Sequence, residues 1–440
     1  MTLITKTPGV YVQEVSIFPP SVTSVATAIP AFIGYTENAV DEPKRITSMN
    51  EFVEIFGGPS AYWKTDGTTD DAPTAISGAK NFMLYYSMQM YFANGGGPCY
   101  VVSAGDYATV TVAIGNYTTA STGAFAKLLL EDEPTLIVMP DARLLTESVS
   151  YDAYKAALTQ CATLQDRFTI IDIFDDVADF RTDIGTQNLK YGAAYYPDLV
   201  TSLSIPLEAI KFGTGIPADP TVAEKVAAQD VAWLNAEKNV RAGIAKMQIT
   251  VPPSGAIAGV YASVDRSRGV WKAPANISLN MVTKPSITIT NDVQDDLNVP
   301  TNGKAVNAIR SFTGKGTLVW GARTLAGNDN EWRYVSVRRL FIMIEESIRK
   351  ATEWVVFEPN DANTWLKVKT MVENYLFNLW KDGAMAGAVP KDAYFVKVGL
   401  NQTMTAQDIL EGKLIVEVGL AAVRPAEFVI LKFSHKLQES

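Results

Sequence analysis

The stretch that decides the fold is Val251–Asn276, VPPSGAIAGVYASVDRSRGVWKAPAN, which packs small residues, prolines and one tryptophan into a pattern too particular for a generic loop. Pro252 and Pro253 lack a backbone N–H and force an extended or turning path. Ser254 then stands where a helix cap belongs, ahead of the apolar run Ala256, Ile257, Ala258, Val260 and Tyr261, so a helix is predicted to begin here. Gly269 to Asn276 turns back out, with Trp271 as the expected buried anchor.

The composition around this stretch is that of a folded protein. A chain of 440 residues, 47% hydrophobic and 19% charged, exceeds one ordinary core and predicts two or three domains. A formal net charge of −9 argues against duplex nucleic acid as a partner, because phosphate binding needs a basic face. The N-terminus shows no basic stretch followed by an apolar one, so no secretory signal is expected. No apolar run approaches the ~20 residues of a membrane span, and no membrane insertion is expected. Cys99 and Cys161 are too few for a disulfide framework and read as small core residues of a chain made in a reducing cytoplasm. The single histidine, His435, excludes histidine-based triads and multi-histidine zinc sites, and reads as a strand-face residue.

Residues 1–23 read as an extended arm. Val10, Tyr11, Val12 and Val15 alternate as on a strand, and Pro19-Pro20 stiffens the link that follows. Residues 24–105 alternate between strands (Ala31–Tyr35, Tyr100–Ser103) and helices (Asn50–Phe56, Phe82–Ala93), each helix followed by glycine. Residues 106–250 read as an α/β domain, with buried-type strands at Leu136–Met139, Phe168–Phe174 and Ala193–Tyr196. Helical spacing occurs at Tyr151–Leu164 and Pro220–Met247. In 251–420, Ser286–Thr301 reads as a β excursion or loop, Val337–Ala351 and Ala362–Lys381 as amphipathic helices, and Leu414–Val418 as a strand. Six of the eight tryptophans fall between Trp271 and Trp380, predicting the densest aromatic packing there. In the closing segment 421–440, Val429, Leu431 and Phe433 share one apolar strand face.

The most enzyme-like feature is the acidic series Asp172, Asp175, Asp176, Asp179 and Asp183 after a buried strand, where α/β proteins place ligands. Paired carboxylates there could hold a magnesium ion. No phosphate-binding glycine loop precedes them, so a solvated helix start is the simpler reading. Gly314-Lys315-Gly316-Thr317 lacks the phosphate-loop spacing and reads as a tight turn between strands. Catalytic, cofactor and metal residues are therefore expected to be absent.

Further motifs accompany the deciding stretch in order along the chain. They are Thr7-Pro8-Gly9-Val10-Tyr11-Val12-Gln13-Glu14-Val15, Thr27–Gly34, Val319-Trp320-Gly321-Ala322-Arg323, Trp332–Arg339, Phe357-Glu358-Pro359-Asn360-Asp361 and Pro425-Ala426-Glu427-Phe428. Together they resemble the contractile tail sheath proteins of myophages, R-type bacteriocins and phage-tail-like injection particles. The resemblance marks Pro253, Gly255, Gly269, Trp271, Pro274, Trp320, Gly321, Arg323, Pro425 and Glu427 as structural motif residues. It implies a mixed α/β (α+β) subunit of two or three discontinuous domains, whose terminal β-arms complete sheets in neighbouring subunits. It implies stacked six-fold rings of this chain around an inner tube, with baseplate and cap or terminator partners, in a tail or particle that contracts without chemistry or cofactor. Residues 251–420 would face the tube, with Arg338, Arg339, Lys367 and Lys381 as contacts. Polymerisation is also expected on physical grounds, since strand-like ends without local partners can add to other copies and a contact that does not close generates a filament. The competing readings are a metal-dependent α/β hydrolase or transferase using Asp172–Asp183, and a non-contracting baseplate-proximal sheath paralogue.

Overall fold

The computed structural model describes residues 21–60, 62–64, 74–75, 81–108, 112–174, 176–206, 209–212, 224, 238–239, 241–245, 247–428 and 430. The chain divides into two compact units. The larger comprises Ala26–Met343 and Arg424–Ser440, the smaller Met1–Val25 and Ile344–Val423. Positions 105 and 250 both fall inside the larger unit, whose main sheet takes strands from both sides of each.

That sheet has nine strands: β1 (Pro30–Thr36), β2 (Lys44–Ile46), β3 (Cys99–Asp106), β4 (Leu136–Val138), β5 (Phe168–Asp172), β6 (Gly192–Tyr196), β7 (Ile277–Ser278), β8 (Val306–Phe312) and β9 (Gly316–Val319). Their spatial order is β7-β9-β8-β6-β5-β4-β1-β3-β2. The six strands from β8 to β3 run parallel, and the strands at both edges are antiparallel to their neighbours. Parallel sheets are covered on both faces, which is why β1, β5 and β6 are buried at every residue. The expected turn at Gly314-Lys315 joins β8 to β9.

Three helices matter most to this sheet. Helix α1 (Leu84–Ala93) packs along helix α3 (Ser254–Arg268), while α2 (Glu147–Leu164) packs on β5. The small residues of the deciding stretch account for the α1–α3 approach. A Cβ on Gly255 would lie 2.6 Å from the Ser87 carbonyl oxygen, and one on Gly259 2.5 Å from that of Tyr91. At this separation only hydrogen fits between the helix backbones.

The chain order of the strands reverses between β1 and β4, where doubly wound sheets leave a ligand crevice beyond the strands' carboxyl ends. Here the crevice is filled from within. Asp141, in the turn after β4, accepts the N–H groups of Tyr35 at the end of β1 and of Met83 at the start of α1. Tyr35, Phe82 and Tyr107 stack beside it. Asp172, at the end of β5, serves α3 in the same way, accepting the Ser254 N–H at 2.8 Å and the Ser254 hydroxyl at 2.6 Å. Ser254 is therefore not the cap the sequence suggested: it is the first helical residue, and its hydroxyl donates to the aspartate that satisfies its own N–H. Asp172 is buried rather than solvated. Burial pushes both carboxyls up to about 7, against the pull of the N–H and hydroxyl groups they accept.

Several other expectations change. The aromatic packing among Phe32, Tyr91, Phe52, Phe56, Tyr85 and Tyr86 is denser than that around the later tryptophans, of which Trp320 is exposed. Trp271 is half-buried, lying across Gly269, the residue that ends α3 at a φ of 86°. Ser286–Thr301 contains a helix, α4 (Asn291–Asn298), started by the Thr290 side chain. Cys99 and Cys161 are buried free thiols, pushed up by burial. No described helix is long and apolar enough to cross a membrane. Most of Pro220–Met247 lies outside the described residues, as does His435.

Gly259→Ala is expected to destabilise the larger unit by about 1–3 kcal/mol, because the new methyl meets backbone; denaturant unfolding measures it. A pH series tests the two aspartates. Burial holds both folded values above the ordinary aspartate range, so the native state holds protons that the unfolded chain has released. The stability they contribute is complete below pH 4 and is lost as the pH rises through about 7. Asp172→Asn is expected to reduce this fall in thermal melts between pH 5 and 8.

Candidate functional site

The smaller unit is built on α5 (Ala362–Lys381), and the motif Phe357–Asp361 sets its start. Asp361 accepts the Thr364 N–H at 2.9 Å, and that bond holds its carboxyl below the usual range. The Asn360 side chain accepts the Trp365 indole N–H at 2.7 Å and donates to the Lys413 carbonyl at 2.9 Å. Phe357, at the head of the motif, has a φ of 71° and a fully exposed ring. Such a backbone costs a bulky residue about 1–3 kcal/mol and collects at functional places.

The buried stripe of α5 is Val368, Met371, Val372, Tyr375, Leu376 and Leu379; helical spacing predicts an apolar face of Trp365, Val368, Val372, Tyr375, Leu376 and Leu379, of which Trp365 is only partly buried. Against this helix lies a two-stranded antiparallel sheet, Tyr394–Val398 with Val416–Leu420. Among the described residues no third strand pairs with either edge. Each edge adjoins a groove. Beside Val416 a groove of about 640 Å³ is lined by Ile348, Val355, Val356, Phe357, Val368 and Leu414. Beside Tyr394–Val396 another of about 470 Å³ is lined by Phe377, Pro390 and Phe395. An open edge offers unpaired N–H and C=O groups, and an adjacent groove, apolar beside Val416 and mixed beside Tyr394 with Glu373, Asn374 and Lys391, offers a place for side chains.

The chain ends are fixed by specific contacts. In the smaller unit the Val25 N–H donates to Ser347 Oγ at 3.0 Å, and the Ser24 hydroxyl bonds Tyr375 Oη at 3.2 Å. In the larger unit Arg339 donates to the Thr27 carbonyl at 2.8 Å and to the Asp265 carboxylate, which also accepts the Thr27 hydroxyl. Towards the C-terminus Arg323 holds Glu427 through two guanidinium nitrogens. Two motifs that the sequence offered separately, around Gly321 and around Pro425, are thus joined. Gly321 approaches Asn307 so closely that a Cβ would lie 2.7 Å from its Oδ1.

The other expected site residues separate into those with a free surface and those without. Lys367 and Lys381 are exposed on α5, along with Asn374 and Asn378. Arg338 and Arg339 are not surface contacts: both are buried, Arg338 over the rings of Trp332 and Tyr191, Arg339 over Tyr261. The aromatic and carboxylate neighbours of these arginines draw them inward. Pro253 precedes α3, and Pro274 is buried after it. Val10, Tyr11, Val12, Val15, Val429, Leu431 and Phe433 lie outside the described residues, as does Asp175. The rest of the acidic series is dispersed. Asp176 caps the helix Val177–Asp183, Asp179 is exposed, and no group of three potential metal ligands occurs among the described residues.

Known proteins match this arrangement. Residues 327–436 fit the family model for the phage tail sheath C-terminal domain. The tail sheath protein of Vibrio phage KVP40 is 23% identical over 187 residues, which are 42% of this chain and 26% of that protein; the match thus spans about a quarter of that relative. Two solved structures match almost throughout. The PVC sheath complex of an extracellular contractile injection system, in its contracted state, is 32% identical, with a TM-score of 0.68 and 99% of each chain covered. A chain of the anti-feeding prophage baseplate, solved with six-fold symmetry, is 33% identical, with a TM-score of 0.68, covering 99% of this chain and 100% of that one. With this identity over nearly its full length, and with the sheath motifs in order, the chain belongs to the contractile tail sheath family.

Proposed function

We propose that this protein is the sheath subunit of a contractile injection particle. Copies polymerise as stacked six-fold rings around an inner tube above a baseplate and below a cap. The lattice then passes from a metastable extended state to a shorter, better-packed one and drives the tube into a target envelope. The observation that carries this reading is the two-stranded sheet of the smaller unit, with a groove beside each open edge. The pair rests on α5 but leaves both outer edges unpaired among the described residues, and added strands from neighbouring copies complete it. The arms at 1–23 and 421–440 are the source of those strands. Because arms connect one body to the next, the bodies can repack without losing the connection. Such work is carried by packing and needs no nucleotide. The exposed lysine-bearing face of α5, with Lys367 and Lys381, is the proposed tube contact. Synthesis takes place in the bacterial cytoplasm.

Deleting Met1–Ser21 tests the arm in trans. Circular dichroism and size exclusion are expected to show a folded, soluble chain, and electron microscopy to show no tubes. A truncated chain that unfolds would assign the segment to its own subunit's core.

Phe357 gives a finer test. Its ring is fully exposed, so Phe357→Ala should change subunit stability by no more than about 0.5 kcal/mol. If the ring fills a contact with an added strand, the critical concentration for tube formation should rise about tenfold or more, as expected for loss of a buried aromatic anchor. Turbidity and sedimentation measure it.

A further inference from the structure

The chain returns to the larger unit at Arg424, and the first firm attachment after that point is Glu427. Its carboxylate meets Arg323, which is almost wholly enclosed while Glu427 is partly exposed. Arg323 is held from three other directions. One guanidinium nitrogen donates to the Asn298 carbonyl at 2.9 Å. Its backbone N–H donates to Asn307 Oδ1 at 2.7 Å. Its backbone carbonyl accepts from Asn307 Nδ2 at 2.8 Å, and that nitrogen also reaches the Ala194 carbonyl. Asn307 lies on β8 and Ala194 on β6, neighbours in the parallel part of the sheet. A continuous path of charge-assisted and amide hydrogen bonds therefore runs from Glu427 into the middle of the nine-stranded sheet.

The asymmetry of this pair gives it a direction. Arg323 cannot follow a displaced segment, because Asn298 and Asn307 fix it. Withdrawing Glu427 would leave a buried guanidinium without its counter-charge, which is strongly unfavourable. The fork geometry also resists sliding, since both carboxylate oxygens are engaged. The thirteen residues beyond Glu427 could reach about 43 Å when fully extended, enough to leave the subunit.

We propose that the Arg323–Glu427 pair is the mechanical anchor of the C-terminal arm, transmitting tension from a neighbouring subunit to the central sheet. This rests on the sheath reading above. The anchor holds the arm's root at a fixed point while the units it connects change their packing. Its loss weakens the connection between subunits more than it weakens the subunit.

The test compares the full-length wild type with Glu427→Gln, Arg323→Lys and the control Glu411→Gln, which alters an exposed carboxylate on the smaller unit. Tubes assembled from each purified chain are sheared for a fixed time and sized by electron microscopy, and the unassembled chains are melted. Glu427→Gln and Arg323→Lys are expected to give tubes about twofold shorter or less, in line with replacing a bidentate charged pair by weaker bonds. Their melting points should stay within about 2–4 °C of wild type, and Glu411→Gln should match wild type in both measurements. Wild-type tube lengths from both anchor variants would overturn the proposal. So would unassembled variants that fail to fold, since the pair would then belong to the subunit's own core. A wild-type chain that forms no tubes would overturn the sheath reading and the anchor with it, whereas wild-type tubes with unbreakable variants would remove the anchor alone.

Discussion

The buried carboxylates of Asp141 and Asp172 fix the character of this fold. A doubly wound sheet leaves helix N-termini pointing at a crevice beyond its strands, and in many α/β proteins an anionic ligand satisfies those N–H groups. Here the chain supplies its own carboxyl acceptors. Asp141 closes the reversal point between β1 and β4, and Asp172 closes the start of α3. Stacked aromatic rings and the close packing at Gly255 and Gly259 fill the remaining space. The result is a rigid body whose usual ligand crevice is occupied by its own side chains, an arrangement suited to resisting force.

Open strand edges distinguish the smaller unit. Its strand pair ends in two open edges, each beside a groove, and Phe357 projects into solvent from a strained backbone. In the larger unit the crevice at the sheet's reversal point is filled by side chains, and in the smaller unit the strand edges are open. That division matches a polymer subunit in which the body transmits force and the edges make connections. Buried arginines tie the chain ends to the body: Arg339 with Asp265 holds Thr27, and Arg323 holds Glu427.

Much of this was legible in the sequence where a pattern is local. Helical spacing located α5 to the residue, and the small residues after Pro253 signalled a closely packed helix. The failures share a physical cause, which is that partners distant in sequence decided the outcome. Ser254 looked like a cap because Ser often is one, but Asp172, 82 residues earlier, supplies the acceptor. Arg338 and Arg339 were expected as tube contacts because the resemblance turns the last third toward the tube, but Trp332, Tyr191, Tyr261 and Asp265 provide an interior for them. The helix Asn291–Asn298 was hidden by its polar composition, since Leu297 is its single buried residue. Thr290 was the available signal. Arg323 and Glu427 were each noticed, but nothing local links residues 104 positions apart.

The central claim is that neighbouring copies complete the smaller unit's sheet. A cryo-electron microscopy reconstruction of the sheath assembled from this chain tests it most directly. The account predicts additional strands on the outer edges of Tyr394–Val398 and Val416–Leu420, continuous with residues 9–15 and 428–433 of adjacent subunits. A lattice in which both edges face solvent, or in which each arm folds back on its own subunit, would contradict it.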